Sequence, residues 1–141
     1  MYQRDYILRM IETIAQLIAG ILKLIKTGDI NRASQALQNA YEVAFRHEAI
    51  QLKAIPEEGL LDSLLEEHLY TTGHLEMLAE LFYADAELLL AEKKFSECLS
   101  FYRKSLAIFE YIDKEYHSYS QARQDRMQAI RERLEEDSLK I

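Results

Sequence analysis

Residues 89–98 read Leu89-Leu90-Ala91-Glu92-Lys93-Lys94-Phe95-Ser96-Glu97-Cys98, and this corner decides the fold. Before it, Leu75, Leu78, Ala79, Phe82, Ala86 and Leu89 step by threes and fours, as one face of a helix must. After it, Phe95, Cys98, Leu99, Tyr102, Leu106 and Phe109 do the same. Two amphipathic helices joined by a few polar residues form a helical hairpin. Nowhere does the chain alternate apolar and polar residues over a useful strand length. The predicted fold class is therefore all-α.

Working outward, the same shape occurs 65 residues earlier, in Leu24-Ile25-Lys26-Thr27-Gly28-Asp29-Ile30-Asn31-Arg32-Ala33. Its first helix is predicted from about residue 5 to 27, with Ile7, Met10, Ile11, Ile14, Leu17, Ile18, Ile21 and Leu24 as the stripe. A second stripe of Leu8, Ala15, Leu22 and Ile25 lies partly round the cylinder, so this helix expects cover on two sides, from its own chain or from a second copy. Gly28-Asp29 stops it. The second helix points Ile30, Ala33, Leu37, Ala40, Tyr41 and Ala44 inward and fades near residue 51. Pro56 denies its predecessor helical geometry and marks a break. A short third helix follows, with Leu60, Leu61, Leu64, Leu65 and Leu69 inward, and Thr71-Thr72-Gly73 ends it. The sixth carries Tyr119, Ala122, Met127, Ile130 and Leu134, with Ser118 or Ser120 available as its cap. Whether the fifth and sixth helices are one bent rod is left open. The expected plan is one domain over 1–141. Hairpins at about 5–51 and 74–114, a bridging helix at 57–70 and a C-terminal helix at 118–136 make a compact bundle of five or six antiparallel helices.

The two corners resemble the tetratricopeptide repeat, in which small residues on the second helix let paired helices approach closely. Ala33 and Cys98 match one such position and Ala40 and Ser105 the next, with Leu37 and Tyr102 between them. Leu17 and Phe82, and Leu24 and Leu89, match bulky positions on the first helices. Ala86 matches a small contact residue and Ile21 does not. Gly20 and Asp85 replace an expected aliphatic residue. Phe45 and Glu110 stand where a closing proline is expected, so the second helices should run long. Without a motif between the hairpins, a regular solenoid is not expected. Over most of its length the chain also resembles an uncharacterised family of small bacterial helical proteins. The carrying residues are Asp5-Tyr6-Ile7-Leu8-Arg9-Met10-Ile11, the Gly28 corner, the hairpin from Leu75 to Ile112, and Ser120-Gln121-Ala122-Arg123-Gln124-Asp125-Arg126. That resemblance implies a bacterial, cytoplasmic protein and carries over no activity.

Composition narrows the function. The chain has 141 residues, enough to bury one core, and a net charge of −7. Four glycines and one proline leave little material for turns. Between Lys53 and Lys93 there are ten carboxylates and no Lys or Arg. That acidic stretch disfavours nucleic acid; a basic protein surface suits it better, and a plain solvated face suits it best. Lys23 and Lys26 interrupt the apolar part of the first helix, so no membrane span is expected. The Met1-Tyr2-Gln3-Arg4-Asp5 opening does not read as a targeting segment. Cys98, the single cysteine, excludes an internal disulfide and reads as a buried thiol.

No constellation points to catalysis. Among His47, His68, His74 and His117, only the pair Asp113 and His117 has helical ligand spacing, and it reads as surface or capping. Glu67 and His68 diverge by about 100° on a helix. Asp62 with Glu66 reads as surface charge, and Gly20, Gly28, Gly59 and Gly73 are solitary, so no loop cradles phosphate. Tyr102, Tyr111, Tyr116 and Tyr119 crowd the junction of the fifth and sixth helices and read as the margin of the core. Arg123, Arg126, Arg131 and Arg133 are interleaved with Asp125, Glu132, Glu135 and Glu136 and read as pairs along their own helix. The expectation is a non-catalytic protein-interaction module without cofactor or metal, whose unidentified partner is a protein or peptide. By the repeat resemblance its groove is lined by Leu22 and Ile25 on the first helix and Tyr83 and Glu87 on the fourth. A homodimer through the first helix is a variant. The alternative is a small-molecule- or metal-binding bundle, with a pocket among the third to fifth helices near His68 and His74.

Overall fold

Gly28 and Lys93 turn the chain at the two corners, and both adopt left-handed backbone, at φ +84° and +63°. In each, an amide reaches back five residues: Asp29 N–H donates to the Leu24 carbonyl and Lys94 N–H to that of Leu89, both at 2.9 Å. This Schellman closure satisfies carbonyls that a helix end would otherwise orphan. The computed structural model describes the backbone of residues 2–116 and 119–139 and the side chains of 5–116 and 119–136. His117 and Ser118 lie outside the described residues, so the Asp113–His117 pair and the Ser118 cap do too.

The first corner joins α1 (Tyr2–Lys26) to α2 (Ile30–Phe45), and the second joins α5 (Thr72–Ala91) to α6 (Phe95–Tyr116). Ala33, Ala40, Cys98 and Ser105 are all fully buried at the crossings. The Ser105 hydroxyl donates to the Ala79 carbonyl at 2.7 Å, so this small polar residue leaves nothing unpaired. Among the described residues there is no strand, and the fold is an all-α bundle.

The connecting segment departs from expectation. α2 does not fade near residue 51 but ends at Phe45, because Arg46 takes φ +53°. A 3-10 turn (Arg46–Glu48) and α3 (Ala49–Ala54) follow, and Ile55 before Pro56 is extended, as ring sterics require. The third helix is one turn, α4 (Leu60–Asp62), running into a π-helical turn (Ser63–Glu67). There His68 N–H reaches the Ser63 carbonyl, and Leu69 follows at φ +58°. The wider turn shifts the register. Leu60 and Leu64 stay buried, whereas Leu69, predicted inward, is 76 % exposed.

α5 is the axis of the molecule. Beyond its predicted stripe it also buries Met77, Leu81, Tyr83, Ala84, Asp85 and Leu88, since α1, α2 and α6 all pack on it. A helix buried on most of its sides is a central helix. α6 stops at Tyr116 and α7 (Gln121–Leu139) is separate, its start capped by Ser120, whose Oγ accepts the Arg123 amide at 3.2 Å. α7 buries Arg123, Met127 and Ile130, while the predicted inward residues Tyr119 and Ala122 are exposed, as is Phe95 at the start of α6.

Candidate functional site

Three ionic bridges fix α7 against α5: Arg123 to Glu76 at 3.6 Å, Arg126 to Glu80 at 2.7 Å and Arg133 to Glu87 at 3.1 Å. Both partners advance together, so the two helices run parallel. Arg123, Arg126 and Arg133 thus pair across 46 or 47 residues of chain, and Arg131 reaches Glu110 on α6 at 3.7 Å, while Arg133 also meets Glu136 on its own helix at 4.0 Å. The acidic stretch is likewise not simply a solvated face, because three of its carboxylates anchor α7.

This bracing corrects the expected groove. Tyr83 is buried and Glu87 mostly covered. The Arg126 guanidinium lies 4.4 Å from the Tyr83 ring centre. Glu87 accepts from Arg133 and from the Tyr102 hydroxyl. Burial and the Glu87 carboxylate push the Tyr102 phenol well above its ordinary range. Burial works against the Arg126 charge, but Glu80 outweighs it and holds the guanidinium above its usual value. Leu22 and Ile25 are half-buried against the core. The structure does not gather Leu22, Ile25, Tyr83 and Glu87 into one open surface. The sequence signal was present: acids at 76, 80 and 87 face bases at 123, 126 and 133.

Asp85, where an aliphatic residue was expected, is buried and accepts the Tyr41 hydroxyl at 2.7 Å. Lys53 Nζ stands 3.3 Å from the same carboxylate and over the Tyr41 ring. Lys104 extends across Phe82 and Phe101 to the Lys53 carbonyl, and burial lowers its pKa. This network ties α2, α3, α5 and α6 together.

The open surface is at the other end of α5. α1 packs on α5 at Gly73, where an added Cβ would stand 2.4 Å from Ile7 Cγ2. Beside this crossing lies a cavity of about 800 Å³ lined by Tyr6, Ile7, Leu8, Ile11, Thr71, Thr72, Gly73, His74 and Glu76. A second, of about 210 Å³, is lined by Ile11, Ile14, Ala15, Glu76, Met77, Glu80, Phe109, Ser120, Ala122 and Arg123. Ile11 and Glu76 belong to both, so the two form one furrow from the start of α1 to the start of α7. Its lining is chiefly apolar. At its waist burial raises the Glu76 carboxyl, partly offset by Arg123. Tyr6 and Leu8 stand at the rim, 56 % and 52 % exposed.

His74 forms part of the wall. Its Nδ1 accepts the Thr71 amide at 3.3 Å and lies 2.9 Å from the Thr71 hydroxyl, so the neutral ring caps α5. Burial lowers its pKa, against the pull of Glu48. His68 and His74 stack on Tyr70, at 5.2 and 4.9 Å, and the Tyr70 hydroxyl donates to Glu48. Among the described residues no group of three or more His, Cys, Asp or Glu side chains is arranged to hold a metal, and no helix is long and apolar enough to cross a membrane. The cavity near His74 lies between α1 and α5, not among the third to fifth predicted helices. Of the clustered tyrosines, Tyr102 is buried, Tyr111 and Tyr116 meet edge to face, and Tyr119 is exposed. Family models, curated proteins and solved structures contain no match to this chain.

Proposed function

We propose that the chain is a non-catalytic interaction module of tetratricopeptide-like build, acting in the cytoplasm, whose docking surface is the furrow along α1 and the first half of α5. The observation that carries this is the contrast along α5. Around Tyr83 and Glu87 it is covered by Arg126 and Arg133 of α7, while at residues 72–76 it borders a cleft of about 800 Å³ with exposed Tyr6 and Leu8 at its rim. Exposed apolar area of this kind, rimmed by polar groups, marks an interaction site. Its partner is a protein or peptide with apolar side chains to seat against this chiefly apolar lining.

A photo-crosslinking residue at Leu8 tests the proposal, with one at Gln35, on the exposed side of α2, as control. Adducts specific to position 8 are expected. Equal labelling from both positions would refute a docking furrow. One observation favours a second reading: the cavity is large enough for a small organic ligand and has His74 in its wall. Native mass spectrometry of the freshly purified chain checks that; a bound mass lost on Gly73→Leu would support it.

A further inference from the structure

We infer that the chain carries a second site, a small cleft between α2 and α3 that takes a small organic anion, with Arg46 as its charge anchor. The ligand class is a carboxylate or phosphate on an apolar body. The cleft shares no lining residue with the furrow. Its first sign is a backbone that the fold alone does not explain. Arg46 adopts φ +53° and ψ −135°. That lies outside the left-handed helical well, at ψ about +30 to +60°, in a region that belongs essentially to glycine. The turn itself is needed, because it sends the chain into α3, where Leu52 is fully buried. An arginine is not needed for it, since glycine makes such a turn without strain. Arg46 is exposed, and among the described residues its guanidinium forms no ion pair or hydrogen bond. Strain kept at a residue whose charge the fold does not use points to a use for that charge.

The cleft beside Arg46 holds about 280 Å³, which limits its occupant to a small molecule. Arg46, His47 and Lys53 line it together. Lys53 Nζ is fixed 3.3 Å from buried Asp85, and its side chain remains 39 % exposed. Glu42, the single acid in the lining, is exposed and makes no ion pair with Arg46. With Asp85 balancing Lys53, the cleft suits one anionic head rather than a polyanion. The planar guanidinium of Arg46 matches a carboxylate or phosphate in two-point contact. The rest of the lining is the Tyr41 ring, Ala49 and Ile50, with Gln38 at the edge. Ile50 is 82 % exposed, so the chain itself leaves this apolar wall uncovered.

Titration of the full ¹⁵N-labelled chain, followed amide by amide in NMR spectra, tests the site with phenyl phosphate, benzoate and neutral benzyl alcohol as probes. At least one anion should shift the amides of residues 46–53 saturably, with Kd of about 1 mM or below, and benzyl alcohol should bind about 10-fold more weakly. A response to phenyl phosphate alone assigns a phosphate head, and a response to benzoate alone a carboxylate. Arg46→Gly is the deciding variant. It should raise Tm by about 2–4 °C, because glycine relieves the strained turn, and yet weaken anion binding about 10-fold or more. Arg46→Lys, which keeps both strain and charge, should lose only about 3-fold in affinity. No saturable shift from either anion at about 10 mM, equal binding of benzyl alcohol, or unchanged affinity in Arg46→Gly overturns the site. A lower Tm in Arg46→Gly overturns it too, since the arginine would then be serving the fold.

Discussion

Gly73 lies in the packing of α1 on α5, and replacing it by alanine has a consequence that can be worked from the structure. The new Cβ would lie 2.4 Å from Ile7 Cγ2 and 3.3 Å from Ile11 Cδ1, against about 3.5–4.0 Å for an ordinary carbon contact. The Ile7 methyl sits on a branched Cβ with a stiff χ1 and cannot swing aside cheaply. Overpacking of this kind costs about 1–3 kcal/mol. The gain in helix propensity offsets at most about 1 kcal/mol, and less in a first turn. The net expectation is a loss of about 1–2 kcal/mol. For a domain of this size that lowers Tm by about 3–6 °C. Urea unfolding followed by circular dichroism reads it directly. The partner is identified by Ile7→Ala: with Cγ2 gone, the nearest Ile7 atom to the new methyl is Cβ at 3.8 Å, an ordinary contact. The double variant should then be no less stable than Ile7→Ala alone, a coupling of about 1–2 kcal/mol in the cycle. If Gly73→Ala alone stabilises the protein, or the two changes simply add, the α1–α5 crossing is not as described.

Asp85→Ala, leaving the buried Tyr41 hydroxyl and Lys53 without their acceptor, should cost about 3 kcal/mol in urea unfolding; Asp85→Leu with Tyr41→Phe should recover most of it, since removing both partners orphans less. Lys93→Gly should stabilise by about 0.5–1 kcal/mol, as glycine relieves the left-handed corner that Gly28 occupies in the other hairpin. Calorimetry checks it, and a lower Tm would refute it. The lowered pKa of His74 makes its contribution fully present above the unfolded value near 6.5, to be lost as pH falls through that value toward the folded one. His74→Gln, whose amide oxygen can still accept the Thr71 amide, should therefore lose less stability than wild type between about pH 7.5 and 5.5; equal losses would exclude a role for the ring. Glu87→Ala should cost about 2–3 kcal/mol in urea, because the Tyr102 hydroxyl and Arg133 lose their shared acceptor, while Glu87→Gln should cost less.

Both corners were legible from residue types: Gly28 because it tolerates left-handed backbone, and Lys93-Lys94 because a polar step separates two apolar stripes. The burial of Ala33 and Cys98 followed from small residues at matching places. The break at Arg46 and the π-turn after Asp62 were not legible, because an apolar stripe with one residue more per turn still looks helical. Nor was the site. Tyr83 and Glu87 carried a groove assignment from a repeat resemblance, but α7 occupies that face, and its arginines looked equally well paired with neighbours four residues away.

Local chemistry therefore determined the main helices, their order and most of the residues each one hides, since periodicity and backbone preference act within a few residues. Tertiary packing alone decided what each hidden face meets. Charges 46 residues apart chose one another once α6 had carried α7 alongside α5. The same packing covered α5 around Tyr83 and Glu87 and left its start beside the open furrow.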